Sequence, residues 1–167
     1  PVTNIPSSLR VLDLSENKFT SFSVTAPTNL PNMTHLTLSN NMLTTLPTNP
    51  VFNTMKKIEY FYVQNNPRLS APLPQFWRNS TTLKVFDASN CNFTGPIARS
   101  IDAPRLGEIK FSKNRLCGPL PDIYPLSSIN ILDLSNNRFS GTIPSSWTLF
   151  YIKRRLSLQN NSLSGVL

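Results

Sequence analysis

Side chains able to do covalent or metal chemistry are scarce in this sequence. His35 is the one histidine, and Cys91 and Cys117 are the only thiols. A histidine-based triad would rest on His35, and no Ser or Cys nucleophile stands in evident register with it. Neither metal-ligand spacing nor a glycine-rich phosphate loop occurs. The sequence is therefore read as non-enzymatic, with no cofactor and no metal. What remains is the chemistry of recognition. Tyr60 and Tyr62 are two residues apart, a spacing that places both on one side of a strand. Lys110, Lys113, Arg115, Arg138 and the run Lys153-Arg154-Arg155 concentrate positive charge in the later part of the chain.

Bulk composition bounds the problem loosely. The 167 residues are 39% hydrophobic and 14% charged, with a net charge of +8. That length suits one domain or one run of repeats. No stretch of about 18 apolar residues exists, so the sequence contains no membrane-spanning segment. The positive excess is compatible with an acidic partner and equally with plain solubility.

The elements that must position these residues are repeats. The stretch Ile129 to Pro144, INILDLSNNRFSGTIP, reads as L-x-x-L-x-L-x-x-N-x-L-x-G-x-I-P with Ile and Phe in some Leu slots. Looser copies place an anchor residue at Asn17, Asn41, Asn66, Cys91, Asn114, Asn137 and Asn161, in steps of 24, 25, 25, 23, 23 and 24 residues. The L-x-L part predicts a short strand with alternate side chains inward and outward. The anchor amide satisfies backbone groups of its own rung and the next, which works only when rungs stack.

This pattern resembles the leucine-rich repeat family over essentially the whole chain. Gly118-Pro119-Leu120-Pro121 and Gly141-Thr142-Ile143-Pro144 resemble the plant-type signature most closely. The resemblance implies an α/β repeat fold: a right-handed solenoid, with a parallel β-sheet on the concave face and 3₁₀ or extended segments on the convex face. Trp77, Ile101, Tyr124 and Trp147 recur three residues after the Pro position and are expected to plug the convex side of the core. The first two repeats lack the Gly, and repeat three carries an extra residue in Asn66-Pro67-Arg68-Leu69. Neither end shows a polar capping unit. The expectation is a single domain over residues 1–167, about seven repeats, cut within the pattern at both ends.

Repeat phase also predicts which residues line the concave face. One outward column is Val11, His35, Tyr60, Val85, Glu108, Ile131 and Arg155; the next is Asp13, Thr37, Tyr62, Asp87, Lys110, Asp133 and Ser157. Asp13, Asp87 and Asp133 are two or more rungs apart, or roughly 10 to 15 Å, which is too far for a catalytic carboxylate pair, and are read as solvated strand positions. The candidate ligand-binding set is Tyr60, Tyr62, His35, Val85, Lys110 and Arg155, with exposed aromatics at its centre as in binding hot spots. The basic residues are expected to form a positive flank that suits an acidic partner. Nucleic acid is not expected, because no stacking aromatics interleave with these cations.

Glycosylation sequons occur at Asn32, Asn79, Asn92 and Asn160, about as many as chance gives in a chain this rich in Asn, Ser and Thr. Cys91 and Cys117 sit at different repeat positions, so two separate buried thiols are expected rather than a disulfide. The family resemblance implies recognition of a protein, peptide or glycan, in the ectodomain of a cell-surface receptor or receptor-like kinase. An extracellular or cell-surface location follows, with any membrane contact made by segments outside this sequence. The alternatives are a secreted inhibitor of a cell-wall-degrading enzyme, similar to polygalacturonase inhibitors, and a structural adhesin.

Overall fold

A computed structural model describes residues 5–22, 30–47, 49–98, 101–123, 129–149 and 154–166. The strands in chain order are β1 (Val11–Asp13), β2 (His35–Thr37), β3 (Tyr60–Tyr62), β4 (Val85–Asp87), β5 (Thr94–Gly95), β6 (Glu108–Lys110), β7 (Arg115–Gly118), β8 (Ile131–Asp133), β9 (Arg138–Gly141), β10 (Arg155–Ser157) and β11 (Ser162–Leu163). One four-residue helix, Asn49–Phe52, and 3₁₀ turns at Phe76–Asn79 and Ser145–Leu149 complete the described elements.

The L-x-L strands stack in parallel as a seven-stranded sheet, in the order β1-β2-β3-β4-β6-β8-β10. Register is that of the repeat: His35 pairs with Tyr60, Tyr60 with Val85, Val85 with Glu108 and Glu108 with Ile131. In the five inner strands the middle residue points inward, and Leu36, Phe61, Phe86, Ile109 and Leu132 are all buried. Trp77, Ile101 and Trp147 are buried on the opposite side of that core. Tyr124 lies outside the described residues.

Each chain turn after a strand begins with a left-handed residue: Glu16, Asn40, Asn65, Asn90, Lys113, Asn136 and Asn160 have φ between 52° and 60°. Asn tolerates this region better than most residues. Where Asn occupies neighbouring rungs, the side chains form an amide ladder. Asn90 donates to Asn65 at 2.9 Å, Asn65 to Asn40 at 2.8 Å, and Asn160 to Asn136 at 2.8 Å.

The anchor position follows directly. Asn114 shows its work: Nδ2 donates to the Ala88 and Phe111 carbonyls, and Oδ1 accepts the Phe93 N–H of the preceding rung at 2.9 Å. Asn41, Asn66, Asn137 and Asn161 accept the equivalent N–H groups of Phe19, Leu43, Leu116 and Phe139. Cys91 cannot supply that acceptor; its thiol donates to the Val63 carbonyl at 3.3 Å. The N–H left over belongs to Leu69, and it turns instead to the Asn66 carbonyl at 3.0 Å. The extra residue of repeat three makes this local turn and compensates for the missing amide. Cys91→Asn is therefore expected to lower stability by about 1 kcal/mol, because the new carbonyl finds its donor already engaged. Adding deletion of Arg68 should recover that loss, and a denaturation double-mutant cycle measures the coupling.

Beyond the anchors the extended segments do more than cover the core. They pair into a second parallel sheet on the adjoining flank, in the order β11-β9-β7-β5. Gly95, Gly118 and Gly141 bring the chain out of it at φ of 80° to 85°, which side chains with a Cβ disfavour. Among the described residues, repeats without this Gly show only isolated bridges, Ser21 to Thr45 and Pro72 to Thr94. Pro67 and Pro72 have no N–H to donate there.

Candidate ligand-binding face

Strand β3 presents Tyr60 and Tyr62 outward on either side of the fully buried Phe61. The His35 ring stacks on Tyr60, with centroids 4.4 Å apart and planes 17° from parallel. Its Nδ1 lies 2.9 Å from Thr34 Oγ1. Lys84 brings its ammonium 5.7 Å from the centre of the Tyr60 ring, a cation–π distance. The same ammonium pairs with Glu59 at 2.6 Å. That hydrogen bond holds the Glu59 carboxyl below its ordinary range and pushes the Lys84 ammonium above its own. Partial burial raises the Tyr62 phenol, so it stays protonated and able to donate.

Val85 sits in the same column as Tyr60 but is only 9% exposed, hemmed between the Tyr60 and Glu108 rungs. It forms the floor beside the aromatic pair. The predicted set divides here. His35, Tyr60, Tyr62 and Val85 adjoin one another across β2, β3 and β4. Lys110 is two rungs from Tyr62, and Arg155 is four rungs from Tyr60.

Charge on this face differs from the predicted positive flank. Lys110 is paired with Glu108 of its own strand at 2.7 Å. Its ammonium is raised: burial is the largest single influence and works against the charge, but the bond to Glu108 together with the negative charges of Glu108 and Asp87 outweighs it. Arg155 points its Nε to Ser157 Oγ at 2.9 Å. Lys113, Arg115 and Arg138 belong to the turn and second sheet rather than the concave sheet. Lys153 lies outside the described residues.

The aspartates are not simply solvated. Asp13, Asp87 and Asp133 each accept both the N–H and the hydroxyl of the Ser two residues on, at Ser15, Ser89 and Ser135. For Asp13 the Ser15 hydroxyl is the main reason its carboxyl is held below the usual range. These pairs fasten the strand exit, so they are structural. Cys91 and Cys117 are free and only half-buried by surface area, less enclosed than the sequence suggested. Burial nevertheless pushes the Cys91 thiol up to about 12, so it is protonated and inert near neutrality.

The four sequons fall in different settings. Asn79 and Asn160 are exposed, and Asn32 and Asn92 half-buried. Asn32 donates to the Ser7 carbonyl at 3.2 Å and accepts from Lys57 at 2.8 Å. Lys84 and Glu59 are the contributors that the sequence reading passed over. Both occupy the repeat position just before the first outward slot, so repeat phase alone could have put them side by side.

Comparison with known proteins agrees with this construction. Family models described as Leucine rich repeat match residues 7–67, 82–103 and 128–150. Receptor-like protein 7 of Arabidopsis thaliana is 34% identical over 142 residues, covering 85% of this chain and 12% of that protein. Receptor-like protein 9a of the same plant is 35% identical over 150 residues, covering 86% and 16% respectively. The chain thus spans less than a fifth of the length of either. Among solved structures, the ectodomain of the Arabidopsis receptor kinase HAESA, in complex with an N-terminal extended IDA peptide hormone ligand, superposes with a TM-score of 0.82 at 29% identity, over 94% of this chain and 26% of that one. The PEPR1–AtPEP1 complex gives 0.84 at 28% identity, over 98% and 24%. Stacked strands, anchor ladder, family match and superposition converge: the chain belongs to the leucine-rich repeat family.

Proposed function

We propose that this chain is a ligand-recognition segment in the extracellular part of a cell-surface receptor, and that its ligand is an extended peptide. The observation that carries this reading is the aromatic patch of His35, Tyr60 and Tyr62 on the concave sheet. It is backed by a rigid aromatic core, so little side-chain freedom is lost on binding. The lysines nearest the patch are already neutralised by Glu59 and Glu108. The platform therefore favours a peptide with an apolar or ring side chain over Tyr60 and backbone polar groups near the Tyr62 hydroxyl. Support comes from the solved HAESA ectodomain, which is described in complex with a peptide hormone ligand.

The test uses the chain secreted from insect cells and a phage-displayed library of random linear peptides. Selected peptides are then titrated against Tyr60→Ala/Tyr62→Ala. Affinity is expected to fall at least tenfold, about 1.4 kcal/mol, with the melting temperature within a few degrees of the parent. Equal affinity for parent and variant, or a library that yields no binder, would remove the proposal.

A further inference from the structure

The flank formed by the second sheet has the opposite electrostatic design to the concave face. On the concave sheet Lys84 and Lys110 each have a carboxylate within 3 Å. On the flank Lys113, Arg115 and Arg138 are all exposed, and among the described residues none of the three forms an ion pair. Lys113 takes the left-handed position that Asn90 and Asn136 fill on adjacent rungs, and so interrupts the amide ladder with a cation. Arg115 opens β7 and Arg138 opens β9, its partner strand. The pairing sets Arg138 opposite Cys117, two residues along from Arg115. Three cations thus border one patch.

The rest of that surface is small and polar. Thr94, Ser140 and Ser162 contribute hydroxyls, while Leu116 and Phe139 turn inward. No aromatic side chain lies on the outer face of β5, β7, β9 or β11. A protein interface of any affinity normally needs aromatic or large apolar anchors, and a single-stranded nucleic acid needs stacking platforms. A shallow face of guanidinium groups and hydroxyls suits a different ligand. Arg binds carboxylate and sulfate through paired N–H groups, and hydroxyls complement sugar hydroxyls. The rung spacing of roughly 4.8 Å is comparable with the length of one sugar unit.

We infer that this flank binds a linear acidic polysaccharide, laid across the strands along the solenoid axis, with its anionic groups at Lys113, Arg115 and Arg138. The site is separate from the concave patch and does not depend on the peptide proposal.

The purified chain, deglycosylated so that sugars at Asn92 or Asn160 cannot cover the flank, is titrated with polygalacturonate, dextran sulfate and poly-glutamate. Arg115→Ala/Arg138→Ala is compared with Arg10→Ala/Arg105→Ala, which removes the same charge away from the flank. Binding to at least one polysaccharide is expected, and which one binds separates carboxylated from sulfated chains. It should weaken roughly 40-fold between 50 and 200 mM salt if three charge contacts each add about 0.9 to the logarithmic salt slope. The flank variant should lose at least tenfold in affinity and the control variant less than twofold. Equal losses in the two variants would reduce the effect to net charge and overturn the site. Poly-glutamate binding as tight as either polysaccharide would point to an acidic protein instead, and absence of binding to both polysaccharides would end the inference.

Discussion

Asn66→Ala should lower the stability of this chain by about 3 kcal/mol, among the larger effects of any polar substitution in it. Asn66 has no exposed surface. Its Oδ1 is the acceptor for the Leu43 N–H at 3.0 Å, and its Nδ2 donates to Leu38 and Val63 carbonyls at 3.0 and 2.8 Å. The two carbonyls keep other donors, the Asn41 amide and the Cys91 thiol. The Leu43 N–H has no substitute, and an orphaned buried donor costs about 1–3 kcal/mol in addition to the lost bonds. Leu38 and Leu43 belong to the preceding rung, so the damage falls on the coupling between rungs. In a solenoid stability is approximately a sum of rung and nearest-neighbour terms. The denaturation curve should accordingly broaden or split, with the rungs before Asn66 unfolding first. Asn66→Asp offers a second check. It keeps an acceptor for Leu43 but turns an anion toward two carbonyls, so burial and those dipoles raise its folded-state pKa. Its stability is then greatest at low pH and is lost as pH rises through that raised value. Melting of Asn66→Asp should fall from pH 4 to pH 7 relative to the parent. A parent-like midpoint for Asn66→Ala would show that the anchor amides do not couple the rungs.

The fold was legible because its determinants are periodic. One apolar slot per strand and one amide per rung, repeated at 23 to 25 residues, specify a parallel stack, and register followed from phase alone. Trp77 and Trp147 could be assigned to the core by the same phase. The fate of their indole N–H groups could not: Trp147 reaches the Pro121 carbonyl at 3.0 Å, and Trp77 finds no partner among the described residues. The second sheet was missed because its strands are two to four residues long and carry no alternation longer than that. The sequence marked them only by the Gly that ends β5, β7 and β9. Charge was the least legible property. Lys110 and Arg115 are five residues apart, but the turn at Lys113 sends them to different surfaces, so a cluster in sequence became two environments in space. The candidate site was readable as a set of columns, whereas the Tyr60–His35 stack and the Glu59–Lys84 pair depend on rotamers that spacing does not determine.

Phe61→Ala tests whether the candidate site depends on what lies beneath it. Phe61 is the inward residue between Tyr60 and Tyr62 and is fully buried. Its ring meets Phe86 at 5.1 Å and the stacked pair Phe52 and Phe76 at 5.5 Å each. Phe86 continues this contact to Phe111 at 4.9 Å, so aromatic packing runs unbroken beneath β3, β4 and β6. Truncation to Ala should cost about 3–5 kcal/mol, because stacked rings around the vacancy cannot collapse without breaking their own contacts. Phe61→Leu retains most of the volume and should cost about 1 kcal/mol. Neither substitution touches the outer face. If the outward tyrosines owe their fixed geometry to this packing, peptide affinity measured well below melting should fall several-fold in Phe61→Ala and stay within twofold in Phe61→Leu. The reason is that β3 would settle into the cavity and pull Tyr60 out of its stack on His35. Lost stability with unchanged peptide affinity in Phe61→Ala would mean that the concave sheet holds its geometry through its backbone ladder alone, and that binding does not draw on the aromatic core.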